Sequence, residues 1–490
     1  MIAAMRRKFS SVISLLAGLA CAVSSEALPR PNILFCLGDD FAWPHAGCYG
    51  DKVVRTPNID RLAREGARFN FAFSAAPSCT PSRAAMLTGQ WPHRLAEGAN
   101  LHGTLPKRFP VYPDLLEQAG YAVGFTRKGW GPGNFKVGGR ERNPAGPQFV
   151  DFKSFLSTVP TNQPFCFWFG SHEPHRPYEK GAGMRAGLKP EEVVVPPFWP
   201  DTPEVRGDIL DYYTEVEQFD RDVGELLKLV EARGQTAETL VVVTGDNGWP
   251  FPRAKANLYD AGTRQPLIVR WLARVKAGQG FDDFVSLADL APTFLEAAGL
   301  KPLPEMTGRS FLGLVSGTER PGKRNTVFIE RERHANVRAG HLGYPCRAIR
   351  TRDFLYIRNF APERWPAGDP EKWKAVGPFG DVDNGPTKEF ILDHRGEPVV
   401  RNSFRLAFEK RPAEELYDLR QDPSQMNNVA GQAGYVAGQE RSRMTLDQWM
   451  KDTDDPRAGE GQARFDAMPY YGADGPTSTN ANRSSAGRTR

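Results

Sequence analysis

The chain has 490 residues, 40% hydrophobic and 25% charged, a composition that excludes a disordered or membrane-embedded protein and gives length for roughly two to four domains. Its 63 basic and 58 acidic residues are interspersed and leave a formal charge of +5, too mild a balance for a nucleic-acid binder.

At the amino terminus, Arg6, Arg7 and Lys8 precede an apolar stretch from Val12 to Val23, followed by Ser24-Ser25-Glu26-Ala27. That order predicts a signal peptide over residues 1–27, cleaved on export to a periplasm or the exterior. The apolar run is too short for a stable membrane span. Lipid anchoring through Cys21 is the competing reading, but Gly18-Leu19-Ala20 makes a poor lipobox.

Ile33 to Leu37 then predicts a buried strand that ends in Gly38-Asp39-Asp40. Thr56 and Pro57 predict a capped helix stopping at Gly66. Ser82 to Thr88 continues as helix, which puts Cys79 at or just before a helix N-terminus. Pro113 to Ala119 predicts a short helix closed by Gly120, then a strand near Tyr121 to Phe125 with Lys128 just beyond it. Phe165 to Phe169 is a second apolar strand, followed by Ser171-His172-Glu173-Pro174-His175. Glu204 to Ala232 carries a long amphipathic helical pattern. Leu240 to Val243 is a third apolar strand, leading into Gly245-Asp246-Asn247-Gly248, with Lys255 shortly after; Gln265 to Trp271 returns as strand. The alternation predicts a doubly wound, mostly parallel α/β domain over residues 31–345.

Beyond it, Arg347 to Arg358 reads as strand and Phe360 to Pro386 is rich in Pro, Gly and Trp. Glu415 to Leu419 is a short strand before a turn at Asp422-Pro423, and a closing helix runs from about Tyr435 to Met450. These predict a smaller α+β domain over residues 346–470, then a disordered tail over 471–490. There are no internal repeats.

Ligand groups in open α/β sheets gather beyond the carboxyl ends of the strands. Asp39-Asp40 and Asp246-Asn247 are oxygen-rich ends of this kind, and together they favour a hard divalent cation, calcium, over zinc. Either pair alone is an ordinary turn. Cys79 sits where backbone N–H groups favour an anion, with Arg83 one helical turn on. Taken alone this is equally a buried helix-entry cysteine beside a surface arginine. With Lys128, His175 and Lys255 at neighbouring strand ends, the pocket is electropositive and suits transfer of a sulfuryl or phosphoryl group. Of the six cysteines (Cys21, Cys36, Cys48, Cys79, Cys166 and Cys346), no pair has metal-site spacing, and one unassigned disulfide is compatible with the pattern.

Cys79-Thr80-Pro81-Ser82-Arg83, running on to Thr88-Gly89, resembles the signature of the formylglycine-dependent sulfatases, of alkaline phosphatase-like fold. Pro31-Asn32-Ile33-Leu34 with Asp39-Asp40, Thr56-Pro57-Asn58, Gly245-Asp246-Asn247-Gly248 and Leu416-Tyr417-Asp418-Leu419 are similar to its other landmarks. The resemblance implies that a maturation enzyme oxidises Cys79 to formylglycine and that Asp39, Asp40, Asp246, Asn247 and the modified Cys79 bind calcium. It implies that Arg83 holds the formylglycine, that Lys128 and Lys255 bind sulfate, and that His175 with Lys255 protonates the leaving group. The family's usual Lys-x-His is here Lys128-Gly129-Trp130; His93 and His102 are candidate replacements for the missing histidine. Trp249-Pro250-Phe251-Pro252 and His172-Glu173-Pro174-His175-Arg176 resemble the heparan N-sulfatase branch, implying an N-sulfated glucosamine substrate in a sulfated glycan. By position, His334, Arg333 and Arg347 are expected to reach the sugar. The alternatives are a phosphomonoester or phosphonate hydrolase on the same fold and a sulfated-glycan-binding pseudoenzyme.

Overall fold

A computed structural model describes residues 30–371, 377–459 and 464–472. The expected signal peptide, Cys21 and nearly all of the expected tail lie outside the described residues. The main sheet has seven strands: β1 (Asn32–Gly38), β2 (Ala67–Phe73), β3 (Ala122–Arg127), β4 (Phe165–Gly170), β5 (Thr239–Gly245), β6 (Arg264–Arg270) and β7 (Gln279–Ser286). Their spatial order is β3-β4-β1-β5-β6-β2-β7. All pairings are parallel except those made by β6, which runs antiparallel to β5 and β2. The doubly wound, mostly parallel sheet is therefore present, with β5 at its centre and β1 beside it.

The central strands are apolar on both faces because both faces are covered. Leu34, Cys36, Phe167, Val241 and Val243 join one core beneath the long helix Pro203–Ala232, through Val216, Phe219 and Val223. Ile33, Phe35, Leu37, Trp168 and Val242 face the other way, onto Tyr112, Leu116, Leu290 and Phe294. Helix α1 (Pro57–Glu65) carries proline in its first turn, and α2 (Cys79–Thr88) ends at Gly89 in the left-handed region, φ 67°.

A second sheet is antiparallel: β8 (Thr326–Arg331), β9 (Cys346–Thr351), β10 (Phe354–Asn359) and β11 (Glu414–Asp418), in the order β11-β10-β9-β8. β8 lies before residue 346 yet pairs with β9 beyond it, so the expected division at 345/346 passes through this sheet. The closing helix Val436–Asp452 covers one face, with Trp449 stacked on Phe328 at 4.6 Å. Two helices within the expected smaller domain, Pro386–Asp393 and Pro398–Phe408, bury Ile391, Val400, Leu406 and Phe408 in the core of the long helix. Among the described residues Cys36, Cys48, Cys79, Cys166 and Cys346 are all free, and no helix is long and apolar enough to cross a membrane.

Phe219 on the long helix packs under the ends of two central strands, 5.4 Å from the Phe41 ring and 6.4 Å from Phe169. Phe219→Ala is expected to cost about 3–5 kcal/mol, read as a lower urea midpoint at an unchanged slope.

Candidate active site

Parallel register brings three strand ends level: Gly38 faces Gly245, and Leu37 faces Gly170. The segment after β1 can fold across these ends because two residues lack a Cβ. A Cβ on Gly38 would lie 2.6 Å from the Phe41 Cβ, and one on Gly245 would lie 1.8 Å from the Phe41 carbonyl oxygen. Asp40 turns the chain at φ 70°, a conformation that costs a non-glycine residue about 1–2 kcal/mol. Its N–H donates to Asp246 Oδ1 at 3.0 Å, which helps hold the turn.

Cys79 is the first residue of α2. The N-cap residue, Ser78, does not cap the helix with its side chain; its Oγ lies 2.8 Å from His334 Nδ1. Ser82 Oγ donates to the Asp246 carbonyl at 2.6 Å and ties this helix to the end of β5. Asp39, Asp40, Cys79 and Asp246 are buried and each aims one atom into a common volume, all within 4.8 Å of one another. Arg83, read as equally a surface residue from sequence alone, is fully buried among them. Its Nε meets Asp246 Oδ2 at 2.8 Å, Nη2 meets Asp39 Oδ1 at 3.1 Å, and Nη1 donates to the carbonyls of Lys128 and Gly129.

Lys128 Nζ lies 2.5 Å from Asp39 Oδ2, and Lys255 Nζ lies 2.8 Å from Asp40 Oδ2. His175 Nδ1 is 2.6 Å from the Arg176 carbonyl, which only accepts, so Nδ1 carries the proton and Nε2 faces Asp40 Oδ2 at 3.9 Å. Burial pushes the Asp39 carboxyl up, but Lys128 and Arg83 outweigh it and hold the group well below the usual range. Burial raises Asp40, reinforced by the Asp39 and Asp246 charges, against the opposing pull of Lys255. The Cys79 thiol is pushed well up, first by burial and then by the Asp246 charge. Burial also opposes the charge on Lys255, but Asp383 and Asp40 raise its pKa well above the ordinary value.

The donor set fits a hard divalent cation. Asn247 donates through Nδ2 to Asp40 Oδ1 at 2.6 Å, while its buried Oδ1 has no hydrogen-bond partner. An orphaned buried acceptor costs about 1–3 kcal/mol, and a cation held with the adjacent carboxylates would satisfy it.

Several expected residues lie elsewhere. His334 is 5% exposed behind Ser78, leaving it almost no surface to offer a sugar. Arg333 is consumed by the carbonyls of Met468 and Pro469, and Arg347 by Asp455 and Glu332. Trp130 is buried in the apolar core rather than presented to the crevice. His93 is engaged by Glu330 at 3.0 Å and does not replace the missing histidine. His102 is lowered to about 4 by burial and then by the charges of Lys128 and Arg333. One residue had no sequence signal: Asp383, from the Pro- and Gly-rich stretch, places Oδ2 3.3 Å from Lys255 Nζ and clusters with His175 and Asp40.

The chain matches the family described as Sulfatase over residues 31–140 and 148–300, and that described as N-sulphoglucosamine sulphohydrolase, C-terminal, over residues 245–372. It is 31% identical to N-sulphoglucosamine sulphohydrolase of Homo sapiens, across 88% of this chain and 92% of that one. It is 27% identical to an ulvan-active sulfatase of Formosa agariphila, across 86% and 75%. A solved protein in complex with its substrate D-glucosamine-2-N,6-O-disulfate shares the fold at TM-score 0.65 and 21% identity, over 88% of this chain and all of that one.

Burial lowers His334 from 6.5 to about 3. Folded, it stays neutral where the unfolded chain takes up a proton, so stability falls as pH drops from 6.5 towards 3. His334→Asn is expected to remove about 1.4 kcal/mol per pH unit of that loss, read as the difference between wild-type and variant urea stabilities across the acid range. Parallel pH curves would contradict the assignment.

Proposed function

The chain belongs to the sulfatase family, and on that premise we propose that it removes sulfate from a sulfated glycan, at an N-sulfated glucosamine of heparan type, with calcium and a formylglycine made from Cys79. The observation that carries this reading is the convergence of Cys79 and three carboxylates in one buried volume lined by cations, with an orphaned oxygen on Asn247, whose side chain bonds Asp40.

Asp39, Asp40, Asp246 and Asn247 would hold the calcium together with the modified residue 79. When bound, the ion polarises the sulfuryl oxygens, and the hydrated formylglycine supplies the nucleophilic oxygen. Arg83 fixes two of the carboxylates beside residue 79. Lys128 and Lys255 reach the volume from opposite carboxylates, so their ammonium groups clamp a sulfate between them. Doubly protonated, with Nδ1–H kept on the Arg176 carbonyl, His175 presents Nε2–H to the same volume as Lys255 and would deliver that second proton to the departing atom. Supporting the N-sulfated substrate are the human relative's name and the ligand of the solved neighbour. Residues 1–27 would direct export, and conversion of Cys79 requires a formylglycine-generating enzyme in the host.

Protein from its native host is expected to show a loss of about 18 Da in the peptide bearing Cys79, the change from thiol to aldehyde. It should turn over glucosamine N-sulfate and nitrophenyl sulfate well ahead of nitrophenyl phosphate. Calcium at about 100 times its Kd should stabilise folding by about 2.7 kcal/mol, an effect lost in Asp246→Ala. Lys255→Ala should lower kcat at least about 100-fold. An unmodified Cys79 mass sinks the mechanism; preference for the phosphate favours a phosphohydrolase, and a converted but inert protein favours a glycan-binding pseudoenzyme.

A further inference from the structure

The crevice is lined by Arg83, Lys128 and Lys255, yet it carries one carboxylate that the proposed calcium site does not use. Asp383 stands on the Lys255 side, in a cluster with His175 and Asp40. Its side chain is 28% exposed, but Oδ2 is buried and has no hydrogen-bond partner. Lys255 is near enough to attract it, though placed too poorly to donate.

The position is built rather than incidental. Asp381, two residues earlier, is locked by Arg331 and Arg338 and accepts the Ala335 N–H. Lys388 Nζ donates to the Val382 carbonyl at 2.8 Å and to Asn384 Oδ1 at 2.9 Å. Thr387 bonds Asp208, which also takes a two-pronged contact from Arg176, the neighbour of His175. The backbone is thus pinned on both sides of Asp383, and the same network holds the loop of the proposed proton donor.

A carboxylate so placed repels a sulfate group and disfavours binding unless the substrate gives it a donor. The scissile oxygen of a sulfate ester bears no hydrogen. The scissile nitrogen of a sulfamate does, and the amine released from it is a cation. Building on the sulfatase reading above, we infer that Asp383 is the specificity residue of this site: its carboxylate accepts a hydrogen bond from the nitrogen that bears the sulfuryl group, and so selects sulfamates over sulfate esters.

The test compares kcat/KM for glucosamine N-sulfate and for nitrophenyl sulfate in calcium-loaded enzyme with converted Cys79. Asp383→Ala is expected to lower the ratio of the two, sulfamate over ester, about 10- to 100-fold. Asp383→Asn keeps the shape and an acceptor but not the charge, so it should fall between the two. Calorimetry gives a readout independent of turnover: wild type should bind glucosamine more tightly than N-acetylglucosamine, and both variants should lose that difference. If sulfamate and ester activities fall in parallel, Asp383 merely steadies Lys255 and His175, and the inference fails while the sulfatase reading survives. If wild type with converted Cys79 cleaves neither compound, the sulfatase reading fails and takes the inference with it.

Discussion

The site depends on one guanidinium. Arg83 is completely buried and spends its donors on Asp39, Asp246 and the carbonyls of Lys128 and Gly129. It thereby joins the ends of β1 and β5 to the segment after β3, and does so from the first turns of the helix that begins with Cys79. A lysine could satisfy one of these partners, not all, because its point charge has no planar fork. Uncompensated, carboxylates this deep would be neutral or would unfold the site.

Charge bookkeeping around that arginine accounts for the rest. Asp39, Asp40, Asp246 and Asp383 face Arg83, Lys128 and Lys255, so the ionised crevice holds one negative charge in excess. A divalent cation at the proposed site would reverse the sign. The single positive excess that would result matches a monoanionic sulfate group. Asn247 bonds Asp40 through Nδ2 and keeps a buried oxygen without a hydrogen-bond partner.

The second sheet and the helices after it complete the crevice rather than stand apart from it. Asp381 pins the stretch before the helix Pro386–Asp393 to Arg331 at the end of β8. That anchoring brings Asp383 to a site whose other residues come from α2 and from the segments beyond the ends of the main sheet's strands. The arginines there, including Arg331, Arg338 and Arg347, are buried in ion pairs.

The three central strands, their parallel sense and the acidic residues at their ends were legible in the sequence. An apolar run followed at once by polar residues is a local pattern, and buried parallel strands leave no other. The helix at Cys79 and its signature were legible for the same reason. β2, β7 and the reversed β6 were not fully so, because strand direction and pairing depend on partners far along the chain. Sequence position could not show that Arg83 is buried, that His334 and Trp130 turn inward, or that Asp383 arrives from a stretch with no periodicity. Burial and orientation are settled only when distant segments pack. Local chemistry thus determined which groups a reaction would need, and tertiary contacts alone decided which of them share one volume, since the segments that meet there are separated by tens to hundreds of residues and are held by networks no local pattern records.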